Sequence, residues 1–303
     1  MVEEAPFLRN SIRFGVLTVQ SLPWEREVER WKLIENLGFD NIWLADHFTD
    51  PVNNTGHWFE SWTLLASLAV ITEKIRIGTL VSSMPLRRPA VLARQALTID
   101  HISNGRLEIG LGTGTGRDPV HGMLGIDDWS GLERLDRFKD QIEVIDKLLC
   151  NSVSSYDGKF YKLNKATMNP EPIQKPRPPF TIAAMSKSML ELAAKYADTW
   201  NSFGSENWRE SAQKIMENTE KRVKIIDKFC SEIGRNPDTL RRSLLLYSKH
   251  GKTILDSKEV FIKVINQYKD IGIDEFIIYF PFFNSREIEN IKLIANEAIP
   301  DLR

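Results

Sequence analysis

Four short segments carry side chains whose types and spacing could do chemistry. Ala45-Asp46-His47-Phe48 sets a carboxylate beside an imidazole. An imidazole titrates near neutrality and a carboxylate can orient it, so the pair reads as acid/base machinery or as a helix-capping Asp and a structural His. Gly78-Thr79-Leu80-Val81-Ser82-Ser83-Met84-Pro85 offers small side chains and hydroxyls, which suits a flat ring packed against backbone or a plain serine-rich loop. Gly110, Gly112, Gly114 and Gly116 alternate with Leu111, Thr113 and Thr115. Glycine at every second position lets a ligand approach the main chain and frees amides for anionic or carbonyl groups. The spacing is neither a Walker A loop nor G-x-G-x-x-G. Ala183-Ala184-Met185-Ser186-Lys187 runs into a helix, where the N-terminus is a phosphate seat or Ser186 is simply a cap.

Other chemistries lack their residues. His47, His57, His101, His121 and His250 show no H-x-x-x-H or H-x-H spacing, so no metal site is expected. The G-x-S-x-G elbow of serine hydrolases is absent. Cys150 and Cys230 are isolated and read as core residues; two cysteines are too few for a disulfide framework and point to a reducing cytosol.

Those four segments must be held by elements, and the pattern supplies eight strands nearly all separated by helices. The strands are expected at Ile12–Val19, Asn41–Ala45, Ile75–Val81, Arg106–Gly110, Phe180–Ala184, Asp198–Phe203, Ser243–His250 and Glu275–Phe280. Between them lie amphipathic stretches such as Trp58–Glu73, Pro89–Ile102, Gly131–Leu149 and a long one from about Trp208 to Gly234. Leu37-Gly38-Phe39-Asp40-Asn41-Ile42-Trp43 is echoed by Ile271-Gly272-Ile273-Asp274-Glu275-Phe276-Ile277, a helix-ending glycine followed at once by a strand. The rhythm predicts parallel strands and a (β/α)8 TIM barrel with the open doubly wound sheet as its alternative. Segments 115–131, after strand four, and 152–179, before strand five, read as insertions into a single domain of residues 1–303. Tyr156–Tyr161 resembles a small hairpin.

The chain has 303 residues, 40 Lys+Arg against 41 Asp+Glu, and a net charge of −1. That length suits one barrel domain, and that balance argues against electrostatic binding of nucleic acid or acidic membranes. No apolar run reaches the ~20 residues of a membrane helix, and Met1–Asn10 does not read as a signal peptide. A soluble cytoplasmic enzyme with a small-molecule substrate is the expectation.

Taken together, Gly38–Phe48, Ile75–Pro89 and Pro89–Gly114 resemble the bacterial luciferase-like family of flavin- and deazaflavin-dependent oxidoreductases. Pro89, Arg94-Gln95, Thr98 to Asp100 and Ser103 to Gly105 fall in family order. The resemblance implies a pocket at the C-terminal ends of the barrel strands for coenzyme F420 or, alternatively, FMN. Asp46-His47-Phe48 looks like the F420-dependent branch, with His47 near the reactive ring and Asp46 supporting it as the catalytic pair. The resemblance also implies a non-prolyl cis peptide at Leu80–Val81 against the ring face. Ser83, Thr113 and Gly114 then match positions on the deazaflavin, and Met185 and Ser186, with Ala184 before them, match the segment near the tail phosphate. One departure is Thr115, which stands where the F420-dependent sugar-phosphate and alcohol dehydrogenases carry a Glu. Trp58 is a candidate for the Trp those enzymes place closer to the His. The implied activity is hydride transfer between C5 of F420 and a small organic substrate. The alternatives are an FMNH2-dependent monooxygenase and a non-catalytic flavin-binding barrel. Family barrels usually dimerise near the second and third strands, and Trp62, Leu65 and Leu68 suggest surplus apolar surface there for a homodimer.

Overall fold

A computed structural model describes residues 11–116, 118–203, 210–246, 254–255, 257–281 and 283–303. The elements follow the alternation read from the sequence. In chain order they begin with β1 (Arg13–Thr18), α1 (Trp24–Asn36), β2 (Asn41–Leu44), α2 (Ser61–Ile71), β3 (Arg76–Thr79), β4 (Ser82–Ser83), α3 (Pro89–Ile102) and β5 (Leu107–Gly112). Next come α4 (Pro119–Leu124), α5 (Gly131–Cys150), β6 (Val153–Asp157), β7 (Lys162–Thr167), β8 (Phe180–Ala183), α6 (Lys187–Tyr196), β9 (Thr199–Ser202) and α7 (Ala212–Glu232). Then follow β10 (Arg241–Leu246), α8 (Lys258–Asp270), β11 (Glu275–Tyr279) and α9 (Ser285–Leu293). The last of these runs through a π turn, Ile294–Ala298, into a final turn, Ile299–Leu302. The expected start near Trp208 and the expected strand end at His250 lie outside the described residues.

The strands form a sheet in the order β3-β2-β1-β11-β10-β9-β8-β5-β4, and a further pairing of β3 with β5 closes it. The fold is therefore a (β/α)8 barrel, not an open doubly wound sheet. By contact density the residues fall into two compact units. One takes Met1–Val19, Arg30–Trp43 and Thr181–Arg303; the other takes Gln20–Glu29 and Leu44–Phe180.

In the first unit, β1 and β10 each pair with β11, and β8 and β10 each pair with β9, all parallel. All six residues of β1 are buried, as expected for a strand covered on both faces. Phe14 stacks on Phe276 at 5.9 Å and meets Phe261 at 6.0 Å. Gly38 and Gly272 both adopt positive φ and each leads directly into a strand, so the two echoing segments are the same helix-ending device used twice. Serines set the helix starts: Ser186, Ser211 and Ser257 accept from the third amide of α6, α7 and α8.

In the second unit, β5 pairs with both β3 and β4. The expected Tyr156–Tyr161 hairpin is longer than its sequence signal: β6 and β7 run antiparallel from Val153 to Thr167 around a turn at 158–161. The hairpin is tied to α5, with Tyr156 Oη donating to Asp140 (3.0 Å) and Glu143 (2.8 Å). The helix α4 was not legible as periodicity, although its punctuation is present: Asp118 caps it, Pro119 opens it and Gly125 closes it at φ 64. Asp100 is buried and accepts from Ile173 N (2.7 Å), Gln174 N (3.2 Å) and Gln174 Nε2 (2.8 Å), which anchors the 152–179 segment. Arg106 donates to the carbonyls of Ala69, Thr72 and Ile75 and so stops α2 at its C-terminus.

Two expectations need correction. Cys150 is exposed rather than part of the core, because it ends α5 on the solvent side, whereas Cys230 is buried as expected. Trp62, Leu65 and Leu68, which suggested surplus apolar surface on α2, are buried within the chain.

Candidate functional site

The site residues that follow β2, β3 and β5 meet in the second unit. Asp46 is buried, and its carboxylate is fully engaged. Oδ1 accepts from Ser61 Oγ at 2.6 Å, Oδ2 accepts from the Ser83 amide at 3.0 Å, and the Arg87 guanidinium grips both oxygens, with Nε at 2.9 Å from Oδ2. Arg87 also donates to Glu60 (2.6 Å), and its carbonyl accepts from Gln141 Nε2 (3.0 Å). Glu60 meanwhile caps α2 by accepting from the Trp62 and Thr63 amides. Burial pulls the Arg87 pKa down, but the hydrogen bonds and charges of Asp46 and Glu60 outweigh it, so the guanidinium stays charged. An ion pair this enclosed is held by its geometry, and removing either partner would strand a buried charge at a cost of about 3–5 kcal/mol.

This changes the reading of Asp46. Among the described residues its hydrogen-bond partners are Ser61, Ser83 and Arg87, and the His47 ring is not one of them. Asp46 therefore clasps the β2 loop to β4 and acts on His47 only through its field.

His47 is half-buried. Desolvation by burial lowers its pKa, and the charges of Asp118, Asp46 and Asp50 only partly oppose that. The imidazole is consequently neutral at pH 7. Trp58 lies edge-on to it, with ring centroids 6.2 Å apart at 70°, and donates from Nε1 to the His47 carbonyl at 2.9 Å. Ten residues of intervening loop do not keep this Trp away from the His.

The peptide Leu80–Val81 is cis. Its position is held from both sides: the Leu80 amide donates to the Leu44 carbonyl (2.9 Å), and the other side is β5. There the glycines explain themselves. A Cβ at Gly110 would lie 1.7 Å from the Thr79 carbonyl oxygen, and one at Gly112 would lie 2.4 Å from Val81 Cγ2. These two glycines admit the Thr79 carbonyl and the Val81 side chain, not a ligand. Gly114 differs: it needs φ 70, and a side chain there would strike Pro85 and approach Ser83 Oγ. Ser82 is not a free hydroxyl, because its Oγ accepts from Trp62 Nε1 (3.1 Å) and pairs with Thr79 Oγ1 (2.7 Å). Ser83, Val81 and Thr113 stay half-buried and accessible.

The remaining candidates belong to the first unit. The Ala184 carbonyl accepts from Trp200 Nε1 (2.9 Å), and the Met185 carbonyl from Arg222 Nε (3.2 Å). With those carbonyls bound, what the segment presents is exposed Ser186 and the first amides of α6, which have no acceptor inside the helix. Ser186 caps the helix by accepting from Met189 N, and the same turn fits an anion.

Sequence reasoning missed Arg87, Glu60 and Ser61. The only local signal was the pair Arg87-Arg88 before the helix-opening Pro89, and the partner Asp46 is 41 residues away. Among the described residues no group of three or more His, Cys, Asp and Glu is placed to hold a metal ion, and no helix is long and apolar enough to cross a membrane.

With this geometry in place, likeness to known proteins becomes informative. Residues 10–248 match the model of the family described as luciferase-like monooxygenase. The chain is 30% identical over 229 residues to the F420-dependent glucose-6-phosphate dehydrogenase of Microbacterium testaceum, covering 74% of this chain and 65% of that protein. It is 35% identical over 154 residues to the pyrimidine monooxygenase RutA of Yersinia enterocolitica, covering 49% of this chain and 40% of that one. Both matches thus span less than two thirds of the relative. A solved F420-dependent secondary alcohol dehydrogenase, in complex with an F420-acetone adduct, superposes with a TM-score of 0.81 at 18% identity, covering 97% of this chain and 99% of that one, and so shares its fold.

Proposed function

The chain belongs to the luciferase-like family, and from that premise we propose that it is an F420-dependent oxidoreductase acting on a small organic substrate. The observation that carries this reading is the neutral, half-buried His47 beside Trp58, in a loop clasped to β4 by Asp46 and Arg87. Relatives in the family include F420-dependent enzymes and flavin monooxygenases alike, and likeness to an F420-dependent dehydrogenase over most of the chain favours the first.

The residues present fit a deazaflavin. Within the second unit, Val81 and the Leu80–Val81 main chain offer a flat support for the ring, and Ser83, Thr113 and Gly114 offer polar atoms and open backbone. Within the first unit, taken by itself, Ser186 with the first amides of α6 has the chemistry of a phosphate seat. When bound, F420 would supply C5 as the donor or acceptor of a hydride. The protein's part is proton handling and exclusion of water. His47, neutral at rest, accepts the proton of a substrate hydroxyl or amine as that group is oxidised, and returns it in the reverse direction. Trp58 fixes the His47 main chain and shields the ring from solvent on one edge. Thr115, in place of an acid, supports a substrate less polar than a sugar phosphate.

Titrating the purified protein with F420 and with FMN tests this reading. Preference for F420, with hydride transfer abolished or reduced about 10²–10⁴-fold in His47→Ala, is the expected result. A second reading, an FMNH2-dependent monooxygenase, is favoured by the likeness to a pyrimidine monooxygenase. Tighter binding of FMN with consumption of oxygen would establish it in place of the first. Binding of either cofactor with no turnover across a broad panel of acceptors would indicate a non-catalytic flavin-binding barrel.

A further inference from the structure

The chain between β5 and α5 leaves the end of the glycine-rich strand, on the side where barrel enzymes build substrate pockets from loops that follow strands. Two arginines one turn apart on α5 hold it. Arg134 joins its two ends: Nη1 donates to the Trp129 carbonyl at 2.8 Å, and the same atom would lie 2.6 Å from a Cβ at Gly116. Position 116 is therefore open to the guanidinium and closed to a side chain of its own. Arg137 holds the Trp129 ring, with Cζ 4.2 Å from its centroid, while Nε and Nη2 donate to Glu133 Oε1 at 3.0 and 2.8 Å.

A second ring reaches Arg137 from further along the chain. Phe160, at the turn between β6 and β7, has its centroid 4.3 Å from the same Cζ. A guanidinium is planar, so its faces can meet aromatic rings while its edge still serves a carboxylate. Three acids on successive turns of α5 fix the hairpin in reach. Asp136 accepts from Lys159 Nζ (2.9 Å), Asp140 from Phe160 N (2.8 Å) and Glu143 from Tyr156 Oη (2.8 Å). All of these residues belong to the second unit.

We propose that the β6–β7 hairpin positions one wall of the substrate site: Phe160 sets Arg137, and Arg137 sets Trp129 and with it the loop of residues 118–130. Phe160 and Arg137 are thus positioning residues, and the hairpin is coupled to a loop some thirty residues before it. That the loop walls the substrate site rests on the reading above; the coupling itself stands on the contacts just described.

Amide hydrogen exchange of the full chain without cofactor, read by mass spectrometry, tests the coupling. In Phe160→Ala the peptides of 118–130 should exchange about 10-fold faster, while those of β5 and α2 keep their wild-type rates. Phe160→Tyr keeps the ring and should restore protection. Arg137→Met should expose the same peptides, and the double variant should exchange no faster than Arg137→Met alone, because the two changes break one chain of contacts. If Phe160→Ala folds poorly, Phe160→Leu keeps apolar bulk and removes the same π face. Unchanged exchange in 118–130, or two effects that simply add, overturns the proposal. With F420H2 as donor and cyclohexanone as acceptor, Phe160→Ala should raise KM several-fold and leave kcat in place; an unchanged KM beside faster exchange overturns the role in substrate binding. A wild type that does not turn over that pair counts against the cofactor reading instead, and the exchange result, which needs no cofactor, still decides this one.

Discussion

Burial of the His47 ring favours the neutral imidazole, so the folded chain binds this proton less readily than the unfolded chain, whose His keeps its ordinary value of 6.5. The sign follows from linkage: the unfolded state takes up more protons in this range, so stability falls as pH drops. The contribution is fully present above about pH 6.5 and is lost as pH falls from there through the lower folded value. Urea midpoints measured at about pH 7.5 and pH 5.5 should therefore differ less in His47→Gln than in the wild type. The identity of His47 and its neighbour Asp46 was plain in the sequence, but the division of labour between them was not. Adjacency in the chain suggested a pair; the structure gives Asp46 to Arg87, because an enclosed guanidinium outcompetes a neutral imidazole for a carboxylate.

Whole elements carry the next layer of the argument, and the glycines of β5 are the instructive case. Their alternation was legible and suggested room for a ligand, yet only the neighbouring strand reveals what fills that room. Thr79 and Val81 occupy the space beside Gly110 and Gly112, so these glycines shape the support on which a ring could lie. Gly110→Ala places a methyl against a backbone carbonyl that cannot rotate away, and should cost about 3 kcal/mol, the upper end of ordinary overpacking. Gly122→Ala in α4, where a Cβ meets nothing within 4 Å, should be neutral or slightly stabilising. Urea unfolding of both variants checks the contrast, and equal midpoints would contradict this account of β5. Asp100 teaches the same lesson. It sits in the family-ordered run from Pro89 to Gly114, but its work is to bind the amides of Ile173 and Gln174, more than seventy residues onward.

At the scale of the molecule, 40 basic and 41 acidic residues leave almost no net charge, and the isoelectric point is near 6.6. Solubility in low salt should pass through its minimum close to that pH and recover with added salt, a dependence that light scattering measures. The sequence alone determined the alternation of strands and helices, and where His47 and the glycine-rich strand end fall along the chain; that the sheet closes into a barrel rather than staying open was decided by the pairing of β3 with β5. The sequence also determined the cis peptide, through family resemblance rather than through any local rule. Tertiary structure alone decided which groups meet the buried charges: Arg87 with Asp46, and the 173–174 amides with Asp100. Periodicity is a property of neighbours in sequence, whereas the partner of a buried charge is set by folding, which brings together residues tens of positions apart.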